Sequence, residues 1–111
     1  MTPAQSILAT DPLPNQALLQ ALKIVGDSWS ILIVKVLLTS SARFNQLKDQ
    51  VPDITNTMLS SRLKYLQIKG ILNRRVLNTS PVAVEYNLTP LGRGLEPIIT
   101  SIQDFADRYL D

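Results

Sequence analysis

A run of polar side chains recurs at helical spacing in the middle of the chain. Leu59, Leu63 and Leu66 repeat every three or four residues, so a helix through them would turn these leucines inward. The opposite face then carries amide, hydroxyl and ammonium groups, from Asn56, Thr57, Ser60, Ser61 and Lys64. Such groups can hydrogen-bond to base edges and contact phosphates. Small polar residues also keep an exposed helix soluble, so the pattern by itself leaves both interpretations open.

The chain of 111 residues contains no cysteine and no histidine. These absences exclude disulfides, zinc sites built from cysteine or histidine, histidine-dependent nucleophilic catalysis and a histidine pH switch. The carboxylates are scattered over helix ends and turns, and the four glycines form no phosphate-binding loop. We therefore expect neither an enzyme nor a protein that holds a metal or another cofactor. The apolar segments are too short to cross a bilayer and no signal peptide is visible, which predicts a cytoplasmic protein.

Charge is unevenly distributed along the sequence, although the net charge is only +2. Residues 35–93 carry nine basic against three acidic side chains, whereas residues 1–34 and 94–111 have net charges of −1 and −3. A basic middle between acidic ends is typical of a nucleic-acid-binding surface on a separate scaffold. Ordinary solvated surface would give the same distribution. So would a winged-helix protein-interaction module whose basic face meets an acidic partner.

The elements that must position these residues follow from the apolar periodicity. Residues 1–15 contain three prolines and are predicted to form a flexible arm, with one domain following over 16–111. Residues 16–25 and 29–38 are predicted helices. The second of them is apolar nearly all round, so we expect it at the centre of the domain.

Two further helices follow in the basic part of the chain. A third helix is predicted to begin at Ser40 or Ser41, and Pro52 comes after it. Thr55 is predicted to cap a fourth helix that runs to about Lys69. Two short helices joined by a tight turn are typical of a helix-turn-helix.

After residue 70 the apolar pattern changes from helical to alternating. Residues 71–76 and 83–88 are predicted strands, joined by turn-forming residues into a β-hairpin. A helix-turn-helix followed by a hairpin is a winged helix-turn-helix, a mainly α fold with a small β part. Thr89 and Pro90 begin a last helix, and Pro97 within its apolar stripe predicts a kink or a break.

Five short segments mark a longer pattern: GDSW at 26–29, RFNQL at 43–47, MLSSRL at 58–63, GIL at 70–72 and VEYNLTPLGR at 84–93. In their order and spacing the chain resembles the HxlR-type family of bacterial winged helix-turn-helix transcriptional regulators. The resemblance implies a homodimeric, sequence-specific DNA-binding protein of the cytoplasm and its nucleoid. It also implies that the helix over 55–69 enters the major groove of an inverted-repeat operator in double-stranded DNA.

The resemblance favours base contacts for Asn56, Thr57, Ser60 and Ser61. Phosphate contacts are expected from residues around that helix and from the wing over about 77–83, namely Arg43, Arg62, Lys64, Lys69, Arg75 and Thr79. Arg62 could instead brace the fold through a carboxylate such as Asp49 or Asp53. Arg74 and Arg75 lie on opposite faces of their strand, so at most one points at DNA, and alternation alone leaves the phase of the strand open.

The apolar stripe of the last helix is wider than one small domain needs. With two residues of the first helix it predicts a twofold dimer interface, formed by Leu19, Ile24, Leu95, Ile98, Ile99, Ile102, Phe105 and Tyr109. Effector-binding members of the family imply, as an open alternative, a small apolar ligand between the first two helices and the last.

Three features depart from the family pattern. Several members are regulated through a cysteine shortly before the first helix, and this sequence has none, so thiol sensing by these residues is excluded. Ser28 replaces the lysine that often precedes the tryptophan, and Ala83 replaces a common arginine at the start of the returning wing strand.

Overall fold

The computed structural model describes residues 15–110. In chain order its elements are α1 (Gln16–Val25), α2 (Ser28–Thr39), β1 (Ala42–Arg43), α3 (Phe44–Gln50), α4 (Asn56–Ile68), β2 (Leu72–Leu77), β3 (Ala83–Leu88), α5 (Pro90–Arg93) and α6 (Glu96–Tyr109). Together they form a winged helix-turn-helix, which confirms the predicted fold class. The predicted arm lies outside the described residues except for Asn15, whose Oδ1 accepts the N–H of Leu18 and caps α1.

Helix α2 forms the centre of the domain. Asp27 caps its first turn by accepting two backbone N–H groups on Oδ1. Ile33, Val34 and Leu37 are at most 1% exposed. They pack in one core with residues of α3, α4 and the sheet, and with Ile99 of α6. The prediction that this nearly all-apolar helix is central is therefore confirmed.

Helices α3 and α4 form the helix-turn-helix. The turn between them contains Asp53 with a φ of 59°, a left-handed conformation that aspartate tolerates better than most residues. Thr55 caps α4, as predicted, by accepting a backbone N–H on its hydroxyl at 3.1 Å. Leu59, Leu63 and Leu66 are buried, so the outer face of α4 is the predicted polar one.

The start of α3 differs from the prediction. The sequence predicts a helix from Ser40 or Ser41, but α3 begins at Phe44. The two residues before it form β1 and pair with β3, with Ala42 opposite Tyr86. The strand order is β1-β3-β2, so the predicted hairpin is part of a three-stranded antiparallel sheet. Pairing with a strand far along the chain overrides the local helical signal.

The apolar C-terminal segment is broken into α5 and α6, as Pro97 predicts, but the break precedes the proline. Helix α5 ends at Arg93 and α6 begins at Glu96. Pro97 therefore lies in the first turn of α6, where a backbone N–H would have no partner within the helix.

A closely packed junction joins the start of α5 to the segment between α4 and β2. The Thr89 N–H donates to the carbonyl oxygen of Ile71 at 3.0 Å. The Thr89 hydroxyl donates to the carbonyl oxygen of Gly70 at 2.5 Å and accepts the N–H of Gly92 at 3.0 Å. These bonds fix the C-terminal helices against the end of the helix-turn-helix.

Candidate nucleic-acid interface

Helix α4 presents the predicted polar set to solvent. All of its members are exposed: Asn56, Thr57, Ser60, Ser61 and Lys64. The helix contains no acidic residue, so none of its own carboxylates would repel a phosphate. The structure thus gathers the expected base-contacting residues on one open face.

Arg43 is the last residue of β1 and the N-cap of α3, the other helix of the pair. Its side chain is exposed, and its backbone N–H donates to Oε1 of Gln46 at 2.7 Å. Within residues 15–110, no carboxylate lies at ion-pair distance from its guanidinium. Its positive charge is therefore available to an anionic ligand.

Arg62 occupies the bracing position that the sequence leaves open, but with a different carboxylate. Its Nε lies 2.5 Å from Oδ2 of Asp27, and its guanidinium carbon lies 5.7 Å from the centroid of the Trp29 ring. Neither Asp49 nor Asp53 is the partner. The guanidinium is thus directed toward the start of α2 and not toward the outer face of α4.

The register of the wing decides which arginine of β2 faces α4. Leu72 is buried, and Arg74 lies on the same face of the strand, opposite Tyr86. Arg75 lies on the other face, where its Nη2 donates to Oε1 of Glu85 at 2.8 Å. Arg75, an expected phosphate contact, is thus paired with a carboxylate across the strands, whereas Arg74 lies on the side of α4.

A groove of about 290 Å³ runs between α4 and the sheet, lined by Phe44, Ser60, Leu63, Lys64, Gln67, Arg74 and Tyr86. Lys64 and Arg74 flank it from the helix and from the wing. Gln67 is a polar residue of this groove that the sequence did not single out, and Arg74 is one of the two arginines whose orientation the sequence left open. A signal for Arg74 was present: once Leu72 is assigned to the core, alternation puts Arg74 on the side of α4.

Two other expected phosphate contacts lie away from this groove. Thr79 is in the loop of the wing, where its hydroxyl donates to the carbonyl oxygen of Pro81 at 2.7 Å. Lys69 follows the last residue of α4, and its Nζ lies 5.9 Å from the centroid of the Tyr65 ring. A helix of 13 residues is about 20 Å long, so Lys69 is far from Asn56 at the opposite end.

An exposed apolar stripe runs along α6, away from α4. Ile98, Ile102, Phe105 and Tyr109 are 39%, 47%, 56% and 71% exposed. The rings of Phe105 and Tyr109 lie 5.4 Å apart, and a shallow hollow of about 480 Å³ opens beside Ile102. We call these four residues the α6 stripe.

The other expected interface residues are less accessible. Ile99 is 7% exposed and packs in the core of its own chain, so its side chain is not accessible to a second protomer. Leu19, Ile24 and Leu95 are half-buried. The exposed leucines of α1 are Leu18 and Leu22 instead.

A cavity of about 350 Å³ lies between α1 and the segments around α5 and the start of α6. Its lining is apolar except for the side chains of Gln20 and Lys69. Ile98 lines both this cavity and the hollow of the α6 stripe. Few polar groups converge here, so the cavity has little with which to orient a small-molecule effector.

Within residues 15–110, no three histidine, cysteine, aspartate or glutamate side chains are placed to hold a metal ion. Nor does any helix in this part of the chain have the length and apolarity needed to span a membrane.

Comparison with known proteins identifies the family. A family model described as HxlR-like helix-turn-helix matches residues 24–111. The chain is 37% identical over 92 residues to the uncharacterized HTH-type transcriptional regulator YvaP of Bacillus subtilis, covering 83% of this chain and 85% of that protein. It is 35% identical over 91 residues to the HTH-type transcriptional regulator YodB of the same organism, covering 82% and 81%. The structure of reduced YodB matches with a TM-score of 0.78 and 32% identity, covering 89% of this chain and 97% of that one. These relatives are regulators and not enzymes, and the chain belongs to the HxlR-like helix-turn-helix family of transcriptional regulators.

Proposed function

We propose that this regulator is a homodimer that reads an inverted-repeat operator, with α4 in the major groove of each half-site. The observation that carries the proposal is the outer face of α4, which is polar, free of acids and exposed from its first residue. The N-terminal residues of a recognition helix are the ones that reach base edges. In α4 these are Asn56 and Thr57, followed one turn later by Ser60 and Ser61.

The phosphate contacts come from groups that surround this face. Lys64 lies on the face itself, Arg43 at the N-cap of the preceding helix and Arg74 on the wing. Thr79 lies in the wing loop, which we place near the backbone or the minor groove. We leave out Arg62 and Arg75 because both guanidinium groups are paired with carboxylates. Lys69 is left out because of its distance from Asn56.

The second protomer is proposed to dock on the α6 stripe and the neighbouring face of α1. An exposed apolar row of four large side chains is costly on a lone domain and is explained by a twofold partner. Two such protomers set their recognition helices about 34 Å apart, which predicts half-sites about one helical turn apart. A protein that reads chromosomal DNA acts with the nucleoid, so we infer a cytoplasmic location.

Control of this protein must differ from a thiol switch in its own chain. YodB is known in reduced and diamide-treated forms. The present sequence has no cysteine, so its 111 residues offer no thiol to oxidise.

Selection of bound duplexes from a randomised DNA pool tests the proposed function. We expect recovered sequences to contain an inverted repeat, and their affinity to fall as salt rises, by about 0.9 in log K per log salt for each phosphate neutralised. Recovery of no common sequence, with no retarded duplex at micromolar protein and low salt, would contradict it. That result would favour a basic face that meets an acidic protein.

Asn56 and Lys64 are expected to contribute in different ways. Asn56→Ala should weaken the selected duplex by about 1–3 kcal/mol per half-site and leave a scrambled duplex unaffected, because an amide–adenine pair is lost. Lys64→Ala should weaken both duplexes equally and reduce the salt slope by about 0.9 per protomer. Fluorescence anisotropy with both duplexes measures this. If Asn56→Ala leaves the ratio of the affinities for the selected and the scrambled duplex unchanged, Asn56 does not contact a base.

Arg74 and Arg75 provide a matched pair on one strand. Arg74→Ala should reduce the salt slope by about 0.9 per protomer and weaken binding, because a phosphate contact beside α4 is lost. Arg75→Ala should leave DNA affinity within about twofold and cost at most about 1 kcal/mol of stability, the usual worth of an exposed ion pair. Equal losses of DNA affinity in the two variants would show that the wing presents both faces to DNA.

A further inference from the structure

We propose that Asp27, Trp29 and Arg62 form a latch that fixes the orientation of α4 against α2, which makes Arg62 a positioning residue for base reading. The proposal rests on the proposed function, since it concerns how α4 is held for DNA. From the sequence alone, Arg62 is equally suited to a phosphate contact and to a brace of the fold. Its contacts in the structure make it a brace that holds the orientation of α4.

Each latch residue makes at least two interactions, and together these link three segments. Asp27 accepts the N–H groups of Trp29 and Ser30 on Oδ1 and meets Arg62 with Oδ2. Arg62 also lies over the Trp29 ring, at 5.7 Å from its centroid. The Trp29 Nε1 donates to the carbonyl oxygen of Pro52 at 3.4 Å, in the turn before α4. The start of α2, the turn and the middle of α4 are thereby joined.

The partial burial of the latch makes this more than a surface ion pair. The side chains of Arg62 and Asp27 are 29% and 23% exposed. At such sites charge pairs are screened less by solvent than on an open surface, and a guanidinium on an indole adds a cation–π contact. A planar guanidinium is suited to two such partners at once, because this group can pair with a carboxylate along its edge and stack on an aromatic ring with its face.

The position of the latch on α4 gives it an effect on DNA reading. The helix is anchored to the core mainly along one line, formed by Leu59, Leu63 and Leu66, beside which Met58 and Tyr65 pack while half-buried. A single apolar line resists separation of two helices better than it resists rotation about that line. Arg62 projects from the flank of the line, so its pairing with Asp27 opposes such a rotation. Rotation would displace Asn56 and Ser60, whose contacts with base edges depend on ångström-scale placement.

The latch also connects the recognition helix to the proposed dimer contacts. Helix α1 ends at Val25, Gly26 is its C-cap, and Asp27 is the next residue. The latch therefore fixes the orientation of α4 relative to the end of α1, and we place α1 beside the second protomer. The spacing between the two recognition helices of a dimer depends on this connection.

Asp27→Asn separates the latch from the helix cap. Asparagine caps a helix as well as aspartate does, so the backbone bonds at the start of α2 persist while the charge pairing with Arg62 is lost. Arg62→Lys keeps the positive charge but loses the planar group, which a simple phosphate contact would tolerate and a stacked one would not. Asp49→Asn is the matched control, because it removes the same charge from an exposed residue of α3 outside the latch.

The test compares three readouts: the preference for one duplex, the salt slope of binding and the emission of Trp29. Urea unfolding first shows that each variant is folded at the protein concentrations used. The probes are the duplex selected by the wild-type chain and a scrambled duplex of the same composition. In both latch variants we expect the preference for the selected duplex to fall about tenfold, the effect of one lost base contact. The salt slope should stay unchanged, since Arg62 neutralises no phosphate. The emission of Trp29, the only tryptophan, should shift in both latch variants and stay constant in Asp49→Asn.

Coupling between the residues completes the test. The double variant Asp27→Asn with Arg62→Lys should lose no more preference than the larger single change. Additive losses, or an unchanged preference in folded latch variants, would overturn the latch. If an Arg62→Met variant shows both a lower affinity for the scrambled duplex and a smaller salt slope, Arg62 is a phosphate contact instead. Absence of any preference in the wild-type chain would overturn the proposed function itself, and the latch proposal with it.

Discussion

Gly92→Ala is expected to lower the free energy of unfolding by about 3 kcal/mol, the upper part of the range for overpacked sites. A Cβ at this position would lie 2.1 Å from the carbonyl oxygen of Ile71 and 3.2 Å from Cδ2 of Leu88. The first contact is with backbone, which no change of rotamer can relieve. The chain must therefore separate α5 from the segment before β2.

The same displacement would loosen the bonds that Thr89 makes at this junction. The Thr89 N–H and hydroxyl reach Ile71 and Gly70 only because α5 approaches so closely. Urea and thermal unfolding at one protein concentration measure the effect, and we expect a fall in Tm of about 15 °C. Gly94→Ala is the control, since its Cβ would meet only the Leu91 carbonyl oxygen, at 3.0 Å, on an exposed turn. Equal Tm values for wild type and Gly92→Ala would show that the close approach is absent in solution.

This junction illustrates which parts of the fold the sequence could predict. Thr89 and Pro90 are visible as a helix start because a cap and a first-turn proline are local signals. The need for glycine at position 92 comes from Ile71, a residue of another segment. No local pattern contains that distance. The start of α5 was predictable because its signals are local, whereas the packing of α5 against Ile71 was not.

The residues proposed to face DNA divide in the same way. The outer face of α4 follows from the spacing of three leucines, and the structure places all five predicted polar residues there. The partners of Arg62 and Arg75 depend on tertiary contact and strand register, so the sequence could not assign them. Register was nevertheless within reach for Arg74, because the burial of Leu72 fixes the phase of the strand.

The α6 stripe shows the limit of helical periodicity. Spacings of four, three and four residues place Ile98, Ile102, Phe105 and Tyr109 on one face. Ile99 lies about 100° away around the helix and turns into the core. A broad apolar stripe therefore contains both an inner and an outer part, and only packing against α2 separates them.

Phe105→Glu is expected to raise the dissociation constant of the proposed dimer by about two orders of magnitude, or about 3 kcal/mol. Phe105 is 56% exposed in the single chain, so the substitution costs the fold of the protomer little. In a twofold interface the change occurs in both copies. Two carboxylates would then be desolvated without a basic partner on the α6 stripe.

Gln103→Glu provides the matched control on the same helix. It adds the same charge, but on the face where Gln103 accepts a bond from Nζ of Lys35 at 2.8 Å. Sedimentation equilibrium should show a monomer for Phe105→Glu at concentrations where Gln103→Glu and the wild type are dimers. A dimer of unchanged strength in Phe105→Glu would place the interface elsewhere on the chain.

The same variant separates dimerisation from base reading. A protomer of Phe105→Glu keeps α4, Arg43 and the wing intact, so its affinity for a duplex with a single half-site should match that of the wild type. On the full inverted repeat the wild-type dimer gains from linking two binding events, and the variant should lose this gain because its second protomer is no longer held nearby. The variant should bind duplexes with one and two half-sites equally well, whereas the wild type should strongly prefer two. This result would show that the α6 stripe links the recognition helices of the two protomers.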